Sequence, residues 1–221
     1  MRQVTILIVT RNKATHLPAT LRSIQETTRY PWRMVLIDVE SNDGTAEICD
    51  EFASLDPRIE VRHEKDKGSA MEIINNAVKS IKTGDIYLTH DDCIYPQLYM
   101  NDWLGIMTDY AGYKDVGCVT CIGGGSTSGP EYLEGFHWVG TWSLYLKREC
   151  LDVVAEKELL DMKFFPGMGD DVDLTYRIIQ SGFKIAEAPF WVQHHRLGMN
   201  HERTYDSAKI IKRNSKYPIR S

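Results

Sequence analysis

The sequence predicts an α/β fold in which a mostly parallel central sheet is flanked by helices. Short apolar runs rich in β-branched residues recur along the first half of the chain, and buried parallel strands have this composition. Segments with the spacing of amphipathic helices separate these runs. Polar residues stand at the points where the runs end, which is where open α/β sheets place their ligands. Together these observations indicate right-handed strand–helix–strand units on one sheet.

The first half of the chain alternates strands and helices. Strands are predicted at residues 4–10, 33–39, 59–64 and 85–92. The first is followed by RNKATHLPATLRSIQETT, whose leucines and isoleucine have helical spacing. After the second strand, Thr45 is predicted to cap a helix that runs through Phe52. A third helix is predicted in KGSAMEIINNAVKSI, and Gly84 closes it.

The second half is less regular but contains the same kinds of segment. Its predicted strands lie near 116–122 and 138–147 and at 183–187 and 190–194, and its predicted helices lie at 171–181 and 200–213. No internal repeat and no long linker interrupts the pattern. We therefore expect a single domain over residues 1–221.

Composition and charge limit the classes of partner. The 221 residues are 43% hydrophobic and 26% charged, with a formal charge of -5 at pH 7. This balance gives no reason to expect nucleic-acid binding, since phosphate backbones are held by clustered lysine and arginine. No apolar run long enough for a transmembrane helix and no signal peptide is recognised, so we expect a cytoplasmic protein. The basic stretch KIIKRNSKYPIRS is expected to be a solvated tail, with peripheral contact with a membrane or an acidic partner as the alternative.

The number and spacing of the cysteines also fit a reducing compartment such as the cytoplasm. Five of them at irregular spacing predict reduced thiols rather than a disulfide framework. Cys118 and Cys121 form one CxxC pair within an apolar run, and a structural zinc site of this type requires a second pair. We therefore expect these two thiols to be buried rather than metal-bound.

Polar residues at the ends of predicted strands are candidates for a ligand site. Thr10 ends the first strand, Asp38 lies near the end of the second, and Asp91 and Asp92 end the fourth, preceded by His90. Because these ends meet at one edge of a parallel sheet, we expect the side chains to converge on one crevice. Adjacent carboxylates are hard-oxygen ligands that suit Mg²⁺ or Mn²⁺. The alternative is a pair of capping aspartates before a loop.

Three carboxylates, Asp170, Asp171 and Asp173, stand close together at the start of a predicted helix. Part of this pattern is capping, since acidic side chains stabilise a helix N-terminus. One cap is enough, however, and crowded negative charge raises the pKa of a carboxyl, which suits a general base. His194 and His195 follow a later apolar run and can complete a metal shell or contact phosphate. The alternative is one packed and one exposed histidine.

Two further segments carry weaker signals. GGGSTSG lacks the lysine of a phosphate-binding loop and the spacing of a nucleophile elbow, so we interpret it as a loop beside the cleft. Trp138 and Trp142 lie on one predicted strand, with Phe136 nearby. Core packing is the default role of these aromatic side chains, and stacking on a sugar ring is the alternative.

The order of these segments resembles that of the family 2 glycosyltransferases, which have the GT-A fold. The segments that carry the resemblance are VTILIVTRN, LIDVESNDGT, DKGSA with INNA, GDIYLTHDD, and GDDVDLTYRIIQSGFKI followed by VQHH, and they cover residues 3–196. The resemblance implies inverting transfer of a sugar from a nucleoside-diphosphate donor, UDP by default, with Mn²⁺ or Mg²⁺ as cofactor. It implies as acceptor the hydroxyl of a glycan, a lipid-linked or a small molecule.

The resemblance also assigns regions and ligand-binding residues. It implies a nucleotide-binding half (1–92), an acceptor and catalytic half (93–200), and a C-terminal helix with a basic tail (201–221). The nucleotide-binding residues are expected to be Thr10, Arg11, Asp38, Lys67, Gly68 and Asp91. Asp92 resembles the metal-binding acid of the family's DxD motif, and His194 resembles the later histidine that contacts metal or diphosphate.

The catalytic residues follow from the same resemblance. Asp171 resembles the base that activates the acceptor hydroxyl, and Asp170 is expected to support it or to contact the acceptor. Asp173 is expected to stabilise the start of the helix instead. Trp138 and Trp142 are expected to lie near the acceptor.

The chain departs from the family pattern at three places, one of which is KDKG, where the usual Asn before the Gly of the third segment is replaced. The second acid and the glycine of the V-D-D-G-S segment are replaced by Val-Glu. If Asp92 is the last acid of the DxD motif, His90 occupies its first position and the motif becomes H-D-D. The other alignment of this motif makes Asp91 the first acid and places Cys93 last.

Two other functions fit parts of the sequence. A sugar-phosphate nucleotidyltransferase usually has a glycine-rich basic loop after its first strand, and TRNKATHLP has no glycine at that place. A non-catalytic protein that binds a nucleotide or a glycan would fit the H-D-D variant of the metal motif.

Overall fold

The structure is a computed structural model, and it describes residues 2–99, 102–126, 138–164 and 169–195. Within these ranges the chain forms a seven-stranded sheet with helices on both faces. The strands of this sheet are β1 (Val4–Thr10), β2 (Trp32–Val39), β3 (Ile59–Glu64), β4 (Asp85–Thr89), β6 (Val116–Ile122), β9 (Ser143–Leu146) and β10 (Lys184–Trp191). Two short pairs accompany it, namely β5 (Cys93–Ile94) with β11 (Gln193–His194), and β7 (Gly125–Ser126) with β8 (Trp138–Val139). The helices are α1 (Leu17–Thr27), α2 (Thr45–Leu55), α3 (Ala70–Ser80), α4 (Trp103–Ala111), α5 (Arg148–Val154) and α6 (Asp170–Gln180), with a 3₁₀ turn at Met162–Phe164.

The main sheet is mostly parallel, as predicted. Its strand order is β10-β6-β9-β4-β1-β2-β3. β1 pairs in parallel with β2 on one side and with β4 on the other, and β3 and β10 each run parallel to their own neighbour. Only β9 is antiparallel to both strands beside it. The strand order changes direction at β1, and this switch point is where α/β sheets form a crevice for ligands.

Each face of the sheet is covered by its own apolar layer. On one face, Ile6 and Ile8 of β1 belong to the same core cluster as Leu21 of α1. On the other face, Leu7 shares a cluster with Leu174 of α6 and with residues of α3 and α5. Because β1 is buried on both faces, its sequence is mostly apolar rather than alternating. The two layers hold the carboxyl ends of β1, β2 and β4 at one rigid edge.

Several predicted elements differ in detail from the structure. The strand predicted at 138–147 is interrupted, because the chain turns through residues 140–142 between β8 and β9. The two strands predicted from 183 to 194 are one longer strand, β10, and the short β11. Helices α4 and α5 were not predicted, and α4 is buried around most of its circumference, so its sequence has no clear amphipathic period. Phe136 and the helix predicted at 200–213 lie outside the described residues.

The predicted cap of α2 is also wrong. Gly44 is the N-cap, with a φ of 94° that suits a residue without a Cβ. The hydroxyl of Thr45 instead donates to Asp43 Oδ1 at 2.5 Å and accepts a hydrogen bond from the amide of Lys13 at 2.8 Å. Thr45 therefore joins the loop after β1 to the start of α2.

The fold also bears on the membrane-spanning segments and on the state of the cysteines. Within the residues that the structure describes, no helix has both the length and the apolar character needed to cross a bilayer. All five cysteines are buried free thiols, which confirms the prediction for Cys118 and Cys121.

Candidate active site and metal centre

The carboxyl ends of β1, β2 and β4 bring the predicted nucleotide-binding residues to one edge. Thr10 and Asp38 are direct neighbours in the pairing of β1 with β2, and both are buried. Asp91 follows β4 on the other side of β1, and its backbone carbonyl accepts a hydrogen bond from the Thr20 hydroxyl at 2.9 Å. Burial raises the pKa of the Asp91 carboxyl, while the Thr10 hydroxyl and the Lys13 ammonium act in the opposite direction. The strand-end residues therefore lie together at one edge of the sheet.

The loops after β1 and β2 are held together by side chains. The Asn12 amide donates to Ser41 Oγ at 2.9 Å, and the Asn12 side-chain oxygen accepts from the amide of Asn42 at 2.9 Å. Asn12 and Glu40 both have positive φ, at 52° and 44°. Asparagine tolerates this region better than most residues, since its short polar side chain forms local hydrogen bonds. The two loops therefore form one wall beside the crevice.

The two carboxylate oxygens of Asp38 differ in their hydrogen bonding. Its Oδ2 lies 3.4 Å from Nδ1 of His63, and the other ring nitrogen of His63 lies 3.0 Å from Asp50 Oδ1. Asp38 Oδ1 is buried and has no hydrogen-bond partner among the described residues. The hydrogen bond to Asp50, together with that to Asp38, raises the pKa of His63 despite partial burial. Asp38 can thus accept one further hydrogen bond from a ligand.

The exposed predicted nucleotide residues lie along the same edge. The Arg11 guanidinium pairs with the Asp66 carboxylate. Asp66 Oδ1 also accepts a hydrogen bond from the amide of Gly68 at 2.7 Å, and Gly68 has a φ of 79°. Lys67 lies beside Gly68, with its ammonium 3.5 Å from a Glu64 carboxylate oxygen. Asp66 therefore links the loop after β1 to the loop after β3.

A possible cation site lies beyond the end of β4. His90, Asp92 and His194 each offer one ligand atom, and these atoms all lie within 4.8 Å of one another. His194 Nε2 is 3.3 Å from Asp92 Oδ1. Backbone pairing brings the distant residues together, because β11 pairs with β5 and the amide of His195 donates to the Asp92 carbonyl at 3.1 Å. Two imidazoles and one carboxylate are a donor set that fits a divalent cation.

The surroundings of His90 favour its neutral form. Burial lowers the pKa of His90 to about 4, and the nearby His194 ring contributes in the same direction. His90 Nε2 lies 3.3 Å from the Thr141 hydroxyl. The indole of Trp142 stacks on the His194 ring with centroids 4.8 Å apart. Neutral imidazoles present the lone pairs that a metal requires.

The structure distinguishes between the two alignments of the acidic motif. Cys93 lies outside the cluster; its thiol donates to the Trp142 carbonyl at 3.6 Å, and burial raises its pKa to about 12. A thiol with so high a pKa is a poor metal ligand near neutral pH. The geometry therefore favours the H-D-D reading, with Asp92 rather than Cys93 beside the cation site. Sequence reasoning named His90 but did not assign it as a ligand, and its only signal was its place before two aspartates.

The three aspartates of α6 have different environments. Burial, followed by the neighbouring Asp170 charge, raises the pKa of Asp171 to about 7, and burial also raises that of Asp170. Asp173 is buried but forms an ion pair with Arg177 at 2.9 Å on the next turn of the helix. Arg177 also donates to backbone carbonyls between Val154 and Leu159. Asp173 therefore belongs to the structural framework, whereas Asp171 is a candidate base.

The turn between β8 and β9 contacts both the start of α6 and the cation site. The Thr175 hydroxyl donates to the Asp171 carbonyl at 2.7 Å and accepts from the Val139 amide at 3.1 Å. Three residues further on, Trp142 stacks on His194, and its carbonyl accepts from the Thr89 hydroxyl at 2.8 Å. One short segment thus bridges the candidate base and the candidate metal ligands.

The predicted acceptor residues are only partly placed. Trp142 is partly buried, and one face of its indole is occupied by His194 rather than left free for a sugar. The backbone of Trp138 lies in β8, and its side chain is outside the described part of the chain. A role for either residue in acceptor binding stays a prediction.

This fold and the arrangement of its carboxyl edge define the GT-A class of α/β proteins. The chain belongs to glycosyl transferase family 2, whose model matches residues 5–165. That match ends before α6 and β11, so the candidate base and His194 lie beyond it.

Relatives with curated names agree with this family. Glycosyltransferase GlyG of Streptococcus pneumoniae serotype 4 is 25% identical over 121 residues, which is 51% of this chain and 40% of that protein. The succinoglycan biosynthesis protein ExoA of Rhizobium meliloti is 24% identical over 197 residues, covering 81% of this chain and 59% of that protein. The chain thus matches between 40% and 59% of the length of these curated relatives.

Solved structures show the same fold. The mannosyltransferase PcManGT from Pyrobaculum calidifontis, in complex with GDP-Man and Mn²⁺, superposes with a TM-score of 0.66 at 20% identity, over 85% of this chain and 55% of that one. GalNAc-T7 with UDP, GalNAc and Mn²⁺ gives a TM-score of 0.70 at 16% identity, over 88% of this chain and 44% of that one. At this level of identity the likeness establishes the GT-A fold.

Proposed function

We propose that this chain is an inverting glycosyltransferase, which moves a sugar from a nucleoside-diphosphate donor to an acceptor hydroxyl with the help of a divalent cation. One observation carries the proposal most directly. Residues 139–142 of a GT-A fold contact both a His/Asp cation site and the helix that carries Asp171, whose half-buried carboxyl has a pKa of about 7. Displacement at an anomeric carbon needs both a stabilised leaving group and a base.

Different residues of the chain would bind the base and the diphosphate of the donor. Asp38 offers a buried carboxylate oxygen without a partner among the described residues to an N–H of the base. Uracil and guanine each have a ring N–H that can donate to such an oxygen, and the two solved structures contain UDP and GDP-Man. Arg11 and Lys67 lie on the same edge as positive groups for the nucleotide.

His90, Asp92 and His194 would hold the cation, Mn²⁺ or Mg²⁺, and Mn²⁺ is present in both neighbouring structures. A divalent cation bound there supplies Lewis-acid stabilisation to the leaving diphosphate. Asp92 itself is buried, so its carboxylate is shielded from bulk water. Low local polarity strengthens each remaining electrostatic contact.

Asp171 would take the proton of the acceptor hydroxyl at one carboxylate oxygen. Its pKa of about 7 keeps it partly ionised near neutral pH while making it a stronger base than an exposed aspartate. Its Oδ1 accepts the Val172 amide at 2.8 Å, which orients the carboxyl and leaves the second oxygen for the acceptor. A single displacement by the activated oxygen inverts the anomeric configuration. Asp170 would support this carboxylate or contact acceptor hydroxyls.

The test measures release of nucleoside diphosphate from a panel of UDP- and GDP-sugars with Mn²⁺ present, first to water and then to candidate acceptors. Asp171→Asn is expected to lower turnover by about 10²–10⁴-fold, which is the usual contribution of a general base. The matched control is Asp152→Asn on α5, because Asp152 is an exposed aspartate whose carboxylate pairs with Arg148 rather than with a residue of the site. The control is expected to retain activity.

The outcome also separates the other two functions. Release of pyrophosphate instead of nucleoside diphosphate would identify a nucleotidyltransferase. Binding of nucleotide without turnover, and without dependence on Mn²⁺, would identify a non-catalytic binding protein. Full turnover by Asp171→Asn would show that the base has been assigned wrongly, and the anomeric configuration of the product tests inversion.

A further inference from the structure

We propose that His90 is a metal ligand, and that the resulting centre of two imidazoles and one carboxylate selects Mn²⁺ and other transition-metal cations over Mg²⁺. The role of this centre in donor binding rests on the proposed function, whereas its ligand set and its metal preference do not. The proposal starts from the three ligand atoms of His90, Asp92 and His194, which lie within 4.8 Å of one another.

The spacing of these atoms suits a shared cation. Metal–ligand bonds of about 2.1 Å place neighbouring ligand atoms about 3 to 4 Å apart. His194 Nε2 and Asp92 Oδ1, at 3.3 Å, already have this spacing. The rings of His90 and His194 lie with centroids 5.2 Å apart and planes inclined at 71°, and the three ligand atoms lie within 4.8 Å of one another. His90 therefore faces the same point as the other two side chains.

The site is held by its surroundings rather than assembled from free surface groups. Asp92 is 4% exposed, and the chain on either side of His194 is paired with the chain around Asp92. Trp142 stacks on the His194 ring and limits its rotation. The Nδ1 atom of His194 is buried without a hydrogen-bond partner among the described residues, while its Nε2 faces Asp92. Neither ring nitrogen is therefore engaged outside the cluster by those residues.

The chemistry of the donor set determines the preferred cation. Mg²⁺ is a hard cation that prefers oxygen ligands, and imidazole best suits Zn²⁺, Cu²⁺, Fe²⁺ and Ni²⁺, whereas Mn²⁺ binds oxygen ligands but also accepts imidazole. A carboxylate at position 90 would make the motif rich in oxygen and add a negative charge. With His90 in that place, two of the three protein donors are neutral nitrogens, and Asp92 is the single anion of the cluster. Histidine in place of a carboxylate at position 90 therefore lowers the affinity of the site for Mg²⁺ more than its affinity for Mn²⁺.

The experiment uses the intact chain and Mn²⁺ itself as the probe, without nucleotide or acceptor. Electron paramagnetic resonance measures free Mn²⁺ during a titration, and pulsed measurements on the bound ion detect nitrogen ligands. Wild-type protein is expected to show couplings from two imidazoles. His90→Gln is expected to show one and to bind Mn²⁺ at least 10-fold more weakly, since even outer-shell changes cost 10–100-fold. His195→Ala is the matched control, because His195 is exposed, is adjacent to His194 and is not in the cluster.

Competition with Mg²⁺ tests the selectivity. His90→Asp is expected to lower the ratio of Mn²⁺ to Mg²⁺ affinity at least 10-fold relative to wild type. Coupling from fewer than two imidazoles in the wild-type protein, or a ratio unchanged by His90→Asp, would overturn the proposal. The wild-type spectrum needs no variant to fold, so the result stands even if a substitution is disruptive. Couplings from two imidazole ligands in a protein that transfers no sugar would contradict only the proposed function. Sugar transfer by a protein with a single imidazole ligand would contradict only this inference.

Discussion

Replacing Asp171 by asparagine is expected to stabilise the fold at pH 8 but not at pH 5. The pKa of this carboxyl is raised from 3.8 to about 7, first by burial and then by the charge of Asp170. Between these two pKa values the folded state holds a proton that the unfolded chain has released. Stability contributed by this group is therefore complete below the unfolded pKa and is lost as the pH rises through the folded one. Asparagine, which stays neutral, avoids that loss.

The size of the effect follows from the shift. Each pKa unit corresponds to 1.36 kcal/mol, and about two of the three units lie between pH 5 and pH 7. The wild-type protein should therefore lose about 2 to 3 kcal/mol of unfolding free energy between pH 5 and pH 8 through this group alone. Asp171→Asn should remove that part of the pH dependence. The variant gains stability where the wild-type carboxyl is ionised, and it lacks the carboxylate that we propose as the base.

Urea unfolding of both proteins at pH 5 and pH 8 measures the difference. Asp173→Asn is the matched control on the same helix. Because Asp173 forms an ion pair with Arg177, its replacement leaves that guanidinium without its carboxylate and should destabilise the protein at pH 8 by about 1–3 kcal/mol. A stability difference between wild type and Asp171→Asn that is the same at both pH values would refute the buried-carboxyl reasoning.

Two further predictions concern groups outside the candidate catalytic pair. The five cysteines are buried, and burial raises the pKa of the Cys49 and Cys93 thiols to about 12. A thiol reagent at pH 8 should therefore react with the folded chain far more slowly than with the chain unfolded in urea. Rapid labelling of the native protein would contradict this burial. The pKa of His63 is raised mainly by its hydrogen bond to Asp50, so Asp50→Asn should return it towards 6.5 in a titration followed by nuclear magnetic resonance, and an unchanged value would exclude that cause. Stability supplied by protonated His63 is present below pH 6.5 and declines as the pH rises through its raised folded pKa.

The alternation of strands and helices was readable from the sequence because it depends on local patterns. β1 is apolar at nearly every position since both of its faces are buried, and the helices after it show one apolar face. The same reasoning placed Thr10, Asp38 and Asp91 at one edge, because parallel strands end together. The interrupted strand at 138–147 was not readable, since both halves have strand composition and the break depends on contacts of Trp142 with β4.

The sequence by itself determined the class of fold, the acidic residues at the ends of its strands and the place of the carboxylates at the start of α6. Only the tertiary structure decided what those groups do to one another. His90 and His194 are 104 residues apart in the chain, and their meeting depends on the pairing of β5 with β11. Asp171 and Asp173 look alike in sequence, yet one lacks a cationic partner among the causes of its raised pKa and the other faces Arg177. Ionisation and metal binding depend on neighbours in space, and local periodicity carries no information about those.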